Sequence, residues 1–338
     1  MLPVVTAKSV LKTVVGEITQ AFIRQGARKV QVRLGYPSGD FLTTVYWAAD
    51  LGIWFAPDVI DGKRFWNAFG TSDPSTSAKV NIVCEINLPL HGVNRRIGGV
   101  VLEDGGGNIC LGHRGKIGGG RKGIGPALFR DHFVGKPQSV IDGDQESCVF
   151  LVGAVKSPRL LQQIQFFVRE VERVKQLVDH ANPSRTSGTS SSGSFGDKVE
   201  IRDVGDEFEG KKRYARSGTV EAVCDHGIIV NTLRKCLKER GYQVGKDQYR
   251  DIYVHKGQKI TSLFEVKPSM STGSLYSAIG QLMFHSTGFA PSPGLFFVAP
   301  IELATDIRKK LKALEIEVIG YRWVDGVPDF PDLAHWDF

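Results

Sequence analysis

The chain has only five cysteines, at Cys84, Cys110, Cys148, Cys224 and Cys236, and no two of them form a C-x-x-C pair. An odd, scattered set of this kind predicts neither a disulfide framework nor a cysteine zinc site; buried thiols are the expected role. No apolar run approaches the roughly 20 residues that a membrane-spanning helix needs. The opening residues lack the basic end, long apolar stretch and small-residue cleavage site of a secretory signal. A cytoplasmic protein without a membrane partner is therefore expected. There is no internal repeat. Neither the G-x-x-x-x-G-K-[ST] spacing of a phosphate loop nor a dinucleotide fingerprint after a good strand occurs.

What is present suits a folded protein of about two domains: 338 residues, 41% hydrophobic and 9% aromatic. The net charge of +7 is uneven. Residues 1–182 carry 22 basic and 16 acidic side chains, whereas residues 198–338 carry 20 and 19. If a polyanion is a partner, the first half is where it is expected to bind. The Gly/Ser-rich stretch 183–197 has the composition of a flexible tether. It separates an expected α+β domain (1–182) from a second domain (198–338). Just before it, Leu160, Leu161, Ile164, Phe167, Val168, Val171, Val174 and Val178 recur at steps of three and four, predicting a long helix over 157–181 that opens at Ser157-Pro158.

In the first domain a helix is expected at 9–24 and strands at 29–34, 41–48, 53–55, 79–88, 99–103 and 149–155. Two stretches between them stand out. The first is aromatic: Tyr46, Trp47, Trp54, Phe55, Phe65, Trp66 and Phe69, with Arg64 and Asn67 interleaved. Such rings most often fill a core. The functional reading is that Trp66 stacks a flipped or single-stranded base while Arg64 and Asn67 read its edge. The second stretch, 112–125, holds seven glycines with Arg114, Lys116, Arg121 and Lys122 between them, ahead of a short helix expected at 126–133. Glycines let backbone N–H groups approach an anion closely, so phosphate contact is one reading and a solubilising hairpin tip is the other.

The second domain alternates more cleanly. A helix is expected at 218–240, strands at 242–244, 251–255 and 260–266, a helix at 272–285, a strand at 294–298, a helix at 301–314 and a strand at 316–321. The order α-β-β-β-α-β-α-β implies a mixed central sheet flanked by helices. Along a strand, residues two apart share a face. Glu265 and Lys267 therefore point to one side, with Phe264 and Val266 packing on the other. A hairpin can bring Asp251, on the preceding strand, beside Glu265. Two nearby carboxylates repel unless a cation relieves them, and Mg²⁺ prefers such oxygen ligands together with water and phosphate oxygens. An amine beside them suits hydrolysis of a phosphodiester, by stabilising a hydroxide or the charge developing on phosphorus. Two sequence decoys, Asp61-Gly-Lys63 and Glu209-Gly-Lys211, lack an apolar strand and a preceding acid-bearing strand.

This combination of a helix, a three-strand meander bearing Asp251 and Glu265-Val-Lys267, and a helix carrying Gln281 resembles the PD-(D/E)XK nuclease superfamily, the restriction-endonuclease-like fold. The resemblance covers roughly 214–322. It implies that Asp251 and Glu265 hold Mg²⁺ (or Mn²⁺ in its place), that Lys267 assists the nucleophile and that Gln281 joins the site. Many members also place an acid on the first helix; Glu221 is the expected candidate, with Asp225 and His226 as rivals. Arg250, not proline, precedes Asp251. The expected function is a Mg²⁺-dependent DNA endonuclease of restriction or defence type. Its first domain would recognise DNA, including a modified base, and a homodimer would suit cutting of both strands. Two alternatives stay open: a non-catalytic nucleic-acid-binding protein on a nuclease-like scaffold, and a nuclease acting on RNA or branched DNA.

Overall fold

A computed structural model of the chain describes residues 1–36, 39–60, 62–77, 79–117, 124–135, 137–181, 220–247 and 249–338. The tether expected at 183–197 lies outside the described residues, as do Arg121 and Lys122. Among the described residues no helix is long and apolar enough to cross a membrane.

The first half forms two sheets that share an apolar core. After β1 (Leu2–Pro3), helix α1 (Lys8–Arg24) buries Leu11, Val14, Ile18, Ala21 and Phe22, the stripe that a 3.6-residue repeat turns to one side. A curled sheet follows, built from β2 (Arg28–Tyr36), β3 (Gly39–Ala48), β4 (Ile53–Ile60), β5 (Arg64–Gly70), β6 (Lys79–Asn81), β7 (Cys84–Glu85) and β8 (Leu88–Pro89), in the order β6-β2-β3-β4-β5-β7 with β8 also on β5. The single strand expected at 79–88 is thus broken in three. Its first piece pairs with β2 and the later ones with β5, at opposite ends of the sheet, and one straight strand cannot do both.

The second sheet adds β9 (Gly99–Glu103), β10 (Ile109–His113), β11 (Gln138–Asp142) and β12 (Gln145–Ala154), in the order β1-β11-β12-β10-β9. Between β10 and β11 runs α2 (Pro126–His132), with Pro126 in its first turn. Helix α3 (Leu160–Ala181) starts three residues later than expected, because Ser157 closes a turn by accepting the Arg159 N–H at 3.1 Å. Side chains of α1, α3 and both sheets share one core.

The second half is a six-stranded mixed sheet. Helix α4 (Val220–Glu239) precedes β13 (Gln243–Gly245), β14 (Ile252–Lys256) and β15 (Lys259–Val266), an antiparallel meander. Helix α5 (Thr272–Ser286) crosses over to β16 (Gly294–Pro300), parallel to β15; helix α6 (Thr305–Ala313) leads to β17 (Ile316–Val324), parallel to β16; and β18 (Val327–Asp329) closes an unanticipated hairpin. Helix α6 is shorter than the 301–314 expected. Ile301 instead gives its N–H to the Tyr321 carbonyl, extending the strand pairing.

Helix α4 is shared between the halves. Val220 and Cys224 lie in a core with Leu2, Val100, Leu102, Val140 and Val149 of the five-stranded sheet. Ile229, Val230, Leu233 and Leu237 pack on the six-stranded sheet. Gly227 faces Phe166 of α3 so closely that an added Cβ would lie 2.6 Å from the ring.

Candidate active site and a basic pocket

The antiparallel register of β14 on β15 sets Ile252 opposite Phe264, so one further step puts Asp251 level with Glu265. Asp251 stands just outside β14, and its Oδ2 accepts the Val266 N–H at 3.0 Å. Phe264 and Val266 are buried towards α4, and Leu263 towards α5. The alternation directs Glu265 and Lys267 to the α5 side. There Lys267 Nζ donates to Glu265 Oε1 at 2.5 Å and to Gln281 Oε1 at 2.9 Å. The backbone N–H of Lys267 is held by the Val298 carbonyl at 2.9 Å. Helix α5 is capped by Ser271, whose hydroxyl accepts the Ser274 N–H, and it buries Ala278 and Leu282, which leaves Gln281 on the flank that meets Lys267. The structure therefore brings Asp251, Glu265, Lys267 and Gln281 together at one end of β15.

Glu265 is only 3% exposed. Burial pushes its carboxyl up to about 7, and the nearby Asp251 charge adds to that; Lys267 and then His226 oppose it. Two carboxylates this close, one of them raised by the charge of the other, are a donor set that a hard divalent cation relieves. Among the described residues no group of three or more His, Cys, Asp and Glu is arranged to hold a metal. The protein thus offers two oxygen side chains, which fits Mg²⁺, an ion that keeps several waters and substrate oxygens. Lys246, just past β13, is a further cation that feels the Asp251 charge, though Arg173 and Glu170 act on it more strongly, and sequence reasoning missed it. Burial pushes its ammonium down to about 8, and the Arg173 charge lowers it further.

The first helix meets the acids through His226, not Glu221. His226 Nε2 lies 3.0 Å from Asp251 Oδ2. Glu221 Oε1 instead accepts from Ser157 Oγ at 2.7 Å and from Arg159 Nη2 at 2.8 Å. Asp225 also takes the Arg159 guanidinium, at 2.7 Å, and accepts from Gln163 Nε2 at 2.8 Å. Glu221 and Asp225, four residues apart, share the helix face turned to the first half. His226 lies one position further round, on the face turned to β14.

Of the first-half residues expected to touch nucleic acid, three are placed otherwise. Trp66 is 3% exposed and packs with Val32, Val45, Trp54 and Ala68, so it cannot stack a base. Asn67 is fully buried; its backbone N–H goes to Asn87 Oδ1 at 2.9 Å and its side chain to the Ile86 carbonyl at 3.1 Å. Arg114 is buried against Asp142, with 2.7 Å between Nη2 and Oδ2, and also donates to the Gly99 carbonyl at 3.0 Å. Arg64 and Lys116, by contrast, line one cavity together with Lys63, Glu85, Asn94 and Arg96. Sequence reasoning missed those four because they come from the β4–β5 turn, the short strand β7 and the β8–β9 loop, none of which carries a periodic signal. Comparison with family models, with curated proteins and with solved structures returns no match for the chain.

Proposed function

We propose that the chain is a Mg²⁺-dependent endonuclease that hydrolyses DNA phosphodiester bonds, on the restriction-endonuclease-like plan, with its more basic first half holding the DNA. The observation that carries this reading is the grouping at the end of β15: Lys267 Nζ held between Glu265 and Gln281, with Asp251 tied to the amide of Val266 between them. Mg²⁺ bound to Asp251 and Glu265 would polarise the phosphoryl oxygen and lower the pKa of a water; Mn²⁺ suits the same oxygen donors. Two acceptors fix the Lys267 ammonium, so it stabilises an attacking hydroxide or the charge gathering on phosphorus without reorganising. His226 orients the Asp251 carboxylate.

The test is digestion of plasmid and of modified and unmodified genomic DNA with Mg²⁺, alongside RNA and branched DNA, comparing the protein with Lys267→Ala and Asp251→Ala. Cleavage that both substitutions abolish supports the reading. Wild-type protein that cuts no nucleic acid in Mg²⁺ or Mn²⁺, or a Lys267→Ala protein that cuts as fast as wild type, sinks it.

A further inference from the structure

The cavity in the first half has a volume of about 390 Å³. That is far more than a bare phosphate fills and lies within the range of small-ligand pockets. Lys63, Arg64, Arg96 and Lys116 line it against a single carboxylate among the described residues, Glu85. Among the described residues none of these four cations is paired with a carboxylate, and Arg64 Nε is buried without a hydrogen-bond partner. Four uncompensated cations around one hollow repel each other, and an anion would relieve them.

The carboxylate is fixed in place. Asn87 Nδ2 donates to Glu85 Oε2 at 2.5 Å, and Asn87 is itself held by the Asn67 N–H. The second oxygen of Glu85 accepts nothing among the described residues. The Asn94 amide lines the same cavity; its Oδ1 accepts the Arg96 N–H at 3.1 Å and keeps a second lone pair, and its Nδ2 donates, so the wall offers one fixed acceptor and one amide with a donor and an acceptor. Among the described residues no aromatic ring lines the cavity, so the planar groups on offer to a ring are the Arg64 and Arg96 guanidiniums.

The far rim is braced. Arg114 donates from its backbone to the Gly98 carbonyl and from its side chain to the Gly99 carbonyl, while Asp142 anchors its guanidinium. Behind Gly98 sits His113, whose Nε2 would be 2.6 Å from an added Cβ, so this wall admits only glycine. Lys116 Nζ is tied to the Arg95 carbonyl. Residues far apart in sequence thus hold Glu85 and Lys116 before any ligand arrives.

We infer that this cavity binds a nucleoside phosphate: the phosphate meets Arg64, Arg96, Lys63 and Lys116, and the edge of the base meets Glu85 and Asn94. A carboxylate accepting from an exocyclic amino group and an amide spanning a donor and an acceptor are the contacts by which proteins read base edges. The ligand could be a free nucleotide or one nucleotide of a polynucleotide turned out of its stack. The inference deepens the nucleic-acid part of the proposed function and is independent of its cleavage part.

The test is calorimetric titration of the full chain, without divalent metal, with the four deoxynucleoside 5′-monophosphates, ribose 5-phosphate, inorganic phosphate, and short single- and double-stranded oligonucleotides. At least one mononucleotide is expected to bind tenfold or more tightly than inorganic phosphate, as about two added charge-assisted or base-edge hydrogen bonds require. Arg96→Ala, at an exposed side chain, is expected to weaken binding about tenfold, and Glu85→Gln to abolish the preference among bases. Oligonucleotides that bind more tightly than any mononucleotide point to the polynucleotide; mononucleotides that bind as tightly point to the free nucleotide. Binding no stronger than that of inorganic phosphate, or Arg96→Ala and Glu85→Gln proteins that both titrate like wild type, overturns the inference. Because no metal is present, failure of the cleavage reading leaves this titration unchanged.

Discussion

His226 Nε2 on α4 lies 3.0 Å from Asp251 Oδ2, the same oxygen that accepts the Val266 N–H. A helix that otherwise belongs as much to the first half as to the second thus sets the orientation of an acid in the second. Loss of this contact leaves Asp251 with one fewer anchor. Under the proposed function, His226→Ala is expected to lower the cleavage rate by about 10–100-fold, the usual cost of removing a group that orients a metal ligand. It should also raise the Mg²⁺ concentration needed for half-maximal rate, with His226→Gln retaining more activity. Initial rates across a Mg²⁺ series decide this; an unchanged Mg²⁺ requirement would count against the orienting role.

Lys267 and Gln281 should separate by magnitude. Lys267→Ala removes a preorganised charge and is expected to slow cleavage by about 10²–10³-fold. Gln281→Ala removes one of the two acceptors that hold it and is expected to cost about tenfold, the scale of one hydrogen bond to a charged group. Single-turnover rates at saturating DNA measure both. Equal losses would mean that Gln281 does more than hold the amine.

The Arg114–Asp142 pair predicts a large effect on stability. The two side chains are 9% and 0% exposed, and they join the pocket rim to β11. Asp142→Ala leaves the Arg114 guanidinium buried with no counter-charge and is expected to cost about 3–5 kcal/mol. Urea denaturation measures it. Replacing both partners, as Arg114→Met with Asp142→Leu, should cost less than Asp142→Ala alone, because no charge is stranded.

His113 predicts a pH dependence of stability. Burial is the largest cause holding its imidazole down to about 4, below its ordinary value of 6.5. The unfolded chain therefore takes up a proton between those values and the folded chain does not. The contribution is fully present above pH 6.5 and is lost as pH falls towards 4, on the order of 2 kcal/mol by pH 5. Glu265 works in the opposite sense: its raised carboxyl makes stability fall as pH rises from 4.5 to about 7. The His113 share is therefore read as the difference between wild type and His113→Gln in urea denaturation at pH 5 and pH 7.5. Parallel changes in the two proteins would show that His113 does not titrate as stated.

The second half was the more legible. The apolar face of β15 and the short run of β16 sit where alternation and hydrophobic runs place them, because each strand has neighbours on both edges and helices over its faces. Strand β5 shows in the sequence only as an aromatic stretch. Phe65 and Phe69 enter one core and Trp66 and Ala68 another, so both faces are buried and no polar alternation marks the strand.

Sequence by itself determined the pairing of Glu265 with Lys267 on one face, since a strand repeats every two residues whatever surrounds it. It also determined that Asp251 precedes them at the end of a hairpin. Only the tertiary structure decided that His226, and not Glu221, reaches Asp251, because the choice depends on how α4 is rotated between two sheets. In the same way, only tertiary structure set Arg64 and Lys116 around a common hollow and buried Arg114 behind it. Segments distant in the chain converge there through packing, and packing leaves no periodic trace in any one of them.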